Sequence, residues 1–176
     1  MDAAIEVLTE RGVLAGLNLR EVADIVGVTP ANIYHLFGSR QGLLRAALQR
    51  ETDTLLSDLD EARTMSFVDR RLRMFDVIGA HPKLALTALL AVDGDPDYQP
   101  LPYLDATRIE YAIQREAGEI PIGMDVEALH LMSLIVSIGT AVYGESAARQ
   151  FGVDTEELSR RVRKIFEEAL RSLFEA

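Results

Sequence analysis

Residues Leu19 to Phe37, LREVADIVGVTPANIYHLF, limit what this chain can fold into more than any other stretch. Two short amphipathic helices are predicted there. In the first, Val22, Ala23 and Val26 form an apolar stripe at i, i+1 and i+4, with Arg20, Glu21 and Asp24 outside it. Gly27 suits a left-handed C-terminal cap, and Val28 is expected to plug the turn. Thr29 is the predicted N-cap of the second helix, and Pro30 occupies its first position, where a missing N–H costs nothing. The second helix is expected to bury Ile33 and Phe37 with Leu36 alongside, leaving Pro30, Ala31, Asn32, Tyr34 and His35 outward. That is a helix-turn-helix whose second helix is short enough to lie in a major groove. The same pattern also fits a plain αα-hairpin, so the flanks must decide.

The flanks extend the pattern from Ile5 to Leu48. They supply AAIEVLTERG, then Leu19-Val22-Ala23, Gly27-Val28-Thr29, Ile33 to Phe37, and FGSRQGLL ending in paired leucines. Taken in order at this spacing, they resemble the DNA-binding domain of the TetR family of bacterial transcriptional regulators. The resemblance implies roles position by position. Arg20 would reach a base from the start of the second helix. Thr29, Pro30, Ala31 and Asn32 would form the base-facing turn of the recognition helix. Tyr34 and His35 would lie on its groove side, and Arg40 would grip phosphate at the start of the fourth helix. Side-chain chemistry agrees: Arg bridges guanine O6 and N7, Asn reads adenine, and helix N-termini offer N–H groups to phosphate. Two departures stand out. The family often carries a basic run before the first helix, whereas Asp2 follows Met1 here, so the contacts of such an arm are not expected. The entry Gly16-Leu17-Asn18-Leu19 lacks the usual Thr or Ser, although Asn18 can cap.

Charge bears on this reading. The chain carries 18 Lys and Arg against 28 Asp and Glu, a net −10, where a DNA binder usually shows a basic footprint. Residues 1–50 hold five Arg and five acids, so the excess lies in the other 126 residues. Most of that charge is expected beyond a Debye length of about 8 Å from bound DNA. So few bases still argue against tight non-specific binding. Cysteine is absent, which excludes disulfides, thiolate nucleophiles and Cys metal sites. An apolar content of 48% and a mean hydropathy of +0.08 fit a globular chain. No apolar run reaches the ~20 residues of a membrane span, and no basic-then-apolar leader is present, so a cytoplasmic protein with no membrane partner is expected.

The rest of the chain reads as helices. The first spans Asp2 to Arg11, with Ala4, Ile5 and Leu8 inward and Gly12 as its stop. The fourth, 40–63, is long: Leu43, Leu44, Ala47 and Leu48 face the first three helices, while Leu55, Leu56 and Leu59 lie further along. It is the predicted bridge between a helix-turn-helix domain at 1–48 and a ligand-binding and dimerisation domain at 49–176. A fifth helix covers 66–80, and a nearly all-apolar sixth, KLALTALLAV, is expected to be largely buried. The loop 93–102 precedes a seventh helix at 103–118, and Asp125 can cap an eighth at 126–151. Small residues recur on the eighth at Ser133, Ser137, Thr140, Gly144 and Ala147, beside a large stripe of Leu129, Met132, Val136 and Tyr143. The ninth helix, 155–174, aligns Leu158, Val162, Ile165, Ala169 and Leu173. That face and the small stripe together are the expected homodimer interface, a four-helix contact with two-fold symmetry.

No catalytic pattern or cofactor site emerges. His35, His81 and His130 have no metal-binding spacing, Asp93, Asp95 and Asp97 lack the Gly and distal Glu of a calcium loop, and no GxGxxG, P-loop or GxSxG occurs. By resemblance, the body would enclose a small-molecule effector, with Phe75, Leu86, Leu89, Tyr103, Tyr111 and His130 as candidate lining. Ordinary core packing is the competing account of each. The sequence thus reads as an all-α, non-enzymatic regulator: a repressor on a palindromic double-stranded operator, released by a small molecule. Two rival readings stay open, a ligand-independent DNA binder and a metabolite-binding protein whose head has lost DNA binding.

Overall fold

The computed structural model describes residues 1–11, 16–59, 65–81, 86–92, 94, 96–101 and 104–175; side chains at 9, 11, 54–59, 89 and 175 lie outside the described set. All regular elements among the described residues are α-helices: α1 (Asp2–Arg11), α2 (Leu19–Val26), α3 (Pro30–Phe37), α4 (Arg40–Leu59), α5 (Phe67–Ala80), α6 (Thr87–Val92), α7 (Leu104–Glu116), α8 (Val126–Phe151) and α9 (Thr155–Glu175). The chain packs as two units. One joins Met1–Thr54 to Leu86–Pro100, and the other joins Leu55–Ala85 to Leu101–Ala176.

The first unit has a core built by α1 to α4. Ala3, Ala4, Val7 and Leu8 of α1 meet Leu17, Leu19, Val22, Ala23, Ile33 and Leu43, all buried. Small residues on α1 let α2 approach it closely. A second cluster extends this core along α4: Ile5, Ala47 and Leu48 pack with Leu90 of α6, and Leu86 and Tyr98 join at the edge. The expected burial of the sixth helix therefore holds on one side only. Thr87 and Leu90 are buried, whereas Val92 is 86% exposed. Arg45 reaches Asp97 at 3.1 Å across the same segment, and Arg50 clasps Asp2 at the start of α1.

The second unit is centred on α5, which buries Phe67, Val68, Leu72, Met74, Phe75, Val77 and Ile78. Fully burying each such side chain contributes roughly 1.5–3 kcal/mol, so α5 anchors the unit. Phe67, Leu72 and Phe75 pack with Tyr111 of α7, Val126 and Leu129 of α8, and Phe166 and Leu170 of α9. Met74, Val77 and Ile78 meet Leu134, Ile138 and Ala141 further along α8. Arg163 of α9 forks onto Asp76 of α5 at 2.7 and 3.0 Å, and Arg171 reaches Asp69 at 3.3 Å.

Caps account for the helix boundaries. Ser66 accepts from Asp69 N and Asp125 accepts from Ala128 N. Gly152 ends α8 at φ +68°, a left-handed conformation in which its N–H reaches back to Ala148 and Arg149 carbonyls. The predicted stop of α1 at Gly12 and the continuation of α4 to 63 fall outside the described residues. α8 is long and apolar enough, in length and composition, to cross a membrane, and only 22% of its most apolar stretch is buried.

Candidate nucleic-acid interface

α2 and α3 are joined by a turn that its own residues close. Gly27 takes φ +71°, and Val28 N donates to Ala23 O at 3.0 Å, which ties off the last carbonyls of α2. Val28 itself is 42% exposed, so it does not plug the turn as expected; the backbone bonds hold it instead. Asn18 opens α2 by accepting from Arg20 N at 3.1 Å. Thr29 opens α3: its Oγ1 accepts from Asn32 N at 3.3 Å and its hydroxyl donates to Asn32 Oδ1, which orients the carboxamide. Ile33 is buried and Phe37 half-buried, and these two pin α3 to α1 and α4. Val26 and Leu36, read from the pattern as part of the apolar stripes, point to solvent.

What remains outward on α3 is Ala31, Asn32, Tyr34 and His35, with Thr29 at its cap and Pro30 half-exposed. Arg20 and Arg40 are both exposed, and neither enters an ion pair among the described residues. Arg45 and Arg50 by contrast are committed to Asp97 and Asp2. Among the described side chains, the head thus keeps two uncommitted guanidinium groups at the starts of α2 and α4. Arg40 is positioned by a cap the sequence reading had not assigned: Ser39 Oγ accepts from Gly42 N at 2.9 Å. Gly42 is required here for a backbone reason. A Cβ on it would lie 2.1 Å from the Phe37 carbonyl oxygen, so only glycine lets the α3–α4 corner close.

The candidate effector residues separate. Leu86 belongs to the core of the first unit, whereas Phe75, Tyr111 and His130 belong to the second. The side chain of Leu89 and the whole of Tyr103 lie outside the described residues. Tyr111 and His130 do meet, with the Tyr111 oxygen 2.5 Å from His130 Nδ1. Their third partner is Arg71, which donates to the Tyr111 oxygen and whose guanidinium lies 4.7 Å from the Phe67 ring centroid and 5.3 Å from that of Tyr111. Burial lowers the Arg71 pKa to about 10, with Arg70 adding to the effect. Burial first, and then the Arg71 charge, lower His130 to about 4, so it is neutral at pH 7. Arg71 was missed in the sequence, although a signal existed: it occupies the apolar stripe of α5, one turn from Phe67 and one from Phe75.

The expected interface residues also separate. Ser133 and Ser137 are turned inward at 0% and 2% exposure, and their hydroxyls donate to the Leu129 and Ser133 carbonyls. Thr140, Gly144, Ala147, Leu158 and Val162 are half-buried, and Val162 packs on the unit's own core. Ile165, Ala169 and Leu173 are exposed. So are Leu131, Met132, Ile135, Val142 and Tyr143, an apolar stripe on the outer side of α8.

Residues 1–47 match the bacterial regulatory proteins of the tetR family. No curated protein matches this sequence. Among solved structures, the fold is similar to that of a TetR-family transcriptional regulator from Rhodococcus sp., with a TM-score of 0.69 and 21% identity over 98% of this chain and 95% of that one. It is also similar to a structure that describes the molecular basis for control of antibiotic production by bacterial hormones, with a TM-score of 0.57 and 21% identity over 93% and 91% of the two chains. Residues 1–47 thus match the tetR family of bacterial regulatory proteins, and the chain as a whole shares the fold of these solved structures.

Proposed function

We propose that this protein is a cytoplasmic, ligand-responsive repressor that binds a palindromic operator as a homodimer. The observation that carries this reading is the outward face of α3, where Thr29, Ala31, Asn32, Tyr34 and His35 stand exposed between the uncommitted Arg20 and Arg40. In this reading residues 1–48 are the DNA-binding head, and residues 49–176 dimerise and hold the effector. Arg20 and Asn32 read base edges, Arg40 holds phosphate, and Tyr34 and His35 line the groove. The dimer forms through the exposed apolar residues of α8 and α9, Ile135, Val142, Ile165 and Leu173 among them. That contact also accounts for an apolar α8 without a membrane. α4 carries the signal, because it is one continuous helix from Arg40 to Leu59 with ends in both units. Leu55, Leu56 and Leu59, which would couple it to the body, have side chains outside the described residues.

The similar structure that describes control of antibiotic production by bacterial hormones supports a hormone-like signal for this chain. A repressor needs its two heads about 34–36 Å apart, one helical turn of DNA, so a small tilt of α4 suffices to release it. Selecting bound sequences from a random DNA pool tests the reading. A two-fold symmetric motif is expected. Arg20→Ala should relax the preference at one position, and Arg40→Ala should weaken all sequences alike and lower the salt dependence. A pool that returns no motif refutes operator recognition.

A further inference from the structure

Arg71, in the second unit, is a buried cation that makes no ion pair among the described residues. It is 3% exposed, and its Nε–H has no hydrogen-bond partner among them. The nearby carboxylate, Glu110, is committed to Arg70. Burying a charge is costly unless it is paired, and here the Phe67 and Tyr111 rings and the Tyr111 hydroxyl offset only part of that cost. The groups around it leave hydrogen-bonding capacity of a definite kind. The Tyr111 hydroxyl accepts from Arg71 and lies 2.5 Å from His130 Nδ1. In the tautomer where neutral His130 carries its proton on Nε2, the hydroxyl donates to Nδ1 and the Nε2–H is left over. One turn along α7 from Tyr111, Gln114 is buried with its Oε1 unpartnered. The locus therefore presents the Arg71 charge and its free Nε–H beside the Phe67 and Tyr111 rings, with Gln114 Oε1 an unpartnered acceptor on the same helix as Tyr111.

We propose that Arg71, with Tyr111 and His130, anchors the carboxylate of a small apolar monoanionic effector. This rests on the reading of the body as an effector domain and specifies the chemistry of that effector. A planar carboxylate matches the guanidinium fork, and a single uncompensated charge favours a monoanion over a phosphate dianion. Phe67 marks the route inward. Its ring lies against Arg71 and also lines an open cleft of about 450 Å³ bordered by Met65, Val68, Glu119, Arg171 and Phe174.

The test is calorimetric titration of the full chain without DNA, using octanoate, benzoate, their neutral amides octanamide and benzamide, and inorganic phosphate. At least one carboxylate should bind ten-fold or more tightly than its amide and more tightly than phosphate. Arg71→Met should remove that preference while its thermal midpoint without ligand stays level or rises. In wild type, the ring signals of His130 should move in NMR spectra on adding the bound carboxylate, with those of His35 and His81 unmoved. The second readout stands if the variant fails to fold. The proposal is overturned if neither acid binds, if the amide or phosphate binds equally well, if Arg71→Met keeps the preference, or if His130 does not respond. Because no DNA is present, these outcomes are separate from operator recognition. A carboxylate that binds but leaves operator affinity unchanged would sink ligand release and not the anion site.

Discussion

Ile135→Asp should convert a dimer into a folded monomer. Ile135 is 60% exposed in the single chain and Ile165 is 67% exposed. Fully burying an isoleucine contributes about 1.5–3 kcal/mol, and covering the exposed share of Ile135 about 1–2 kcal/mol. A two-fold interface uses each side chain twice, so replacing Ile135 costs the dimer about 2–4 kcal/mol. At ~1.4 kcal/mol per tenfold, dissociation strengthens roughly 30- to 700-fold, and the buried carboxylates add to this. The monomer should fold nearly as well as wild type, since an exposed position on a helix loses little by becoming polar. Ser137→Ala gives the contrast: its hydroxyl is spent on the Ser133 carbonyl inside the chain, so assembly should not change. Sedimentation equilibrium across a wide concentration range, with a thermal melt as folding control, measures both. If Ile135→Asp and Ile165→Asp both remain dimers with unchanged dissociation constants, the outer stripe is not the interface and the reasoning fails.

Three further outcomes follow from the structure. Gly42→Ala should destabilise the head by about 1–3 kcal/mol and weaken DNA binding, because its Cβ would meet backbone at Phe37; hydrogen exchange at α3 amides reads this, and an unchanged pattern contradicts it. Thr29→Ala should cost about 1 kcal/mol through loss of the α3 cap, seen as faster exchange at Asn32 N–H, with Thr29→Ser restoring it. His130 has a folded pKa of about 4, below its unfolded value of 6.5, so the unfolded state binds the proton first. Its contribution is present above pH 6.5 and is lost as pH falls towards 4, about 1 kcal/mol of it between pH 7 and pH 5.5. His130→Gln should flatten that part of the stability profile in urea melts at the two pH values, and an equally steep profile would show that His130 is not the titrating group.

Much of the head was legible because its residues act locally. Asn18, Gly27 and Thr29 do in the structure what their side chains and position in the pattern imply, since capping depends on neighbours within three residues. The outward α3 face followed from the inward placement of Ile33 and Phe37, both of which pack on the head core. The body was less legible for a different reason: α8 is apolar or small on two sides, and periodicity does not say which side a neighbour in the same chain will cover. The rest of the chain covers the serine side, whose hydroxyls bond back to their own helix and so carry no polar penalty there. The packing of Leu86 and Leu90 on α1 and α4 joins residues at least 38 positions apart in the chain, and no local pattern records it. Arg71 was passed over because an arginine in an apolar stripe reads as a surface residue until its neighbours are known. Among the described residues no group of acids and histidines could hold a metal.

The central claim is that the outward face of α3 reads DNA. Fluorescence anisotropy of the selected operator, titrated with wild type and with the Asn32→Ala, Tyr34→Ala double variant, tests it most directly. Both side chains are exposed and outside the head core, so the variant should fold as wild type does. Removing a side chain that reads a base costs about 1–3 kcal/mol, so operator affinity should fall by at least roughly tenfold while affinity for unrelated DNA changes little. Equal affinity of the two proteins for the operator would contradict the account.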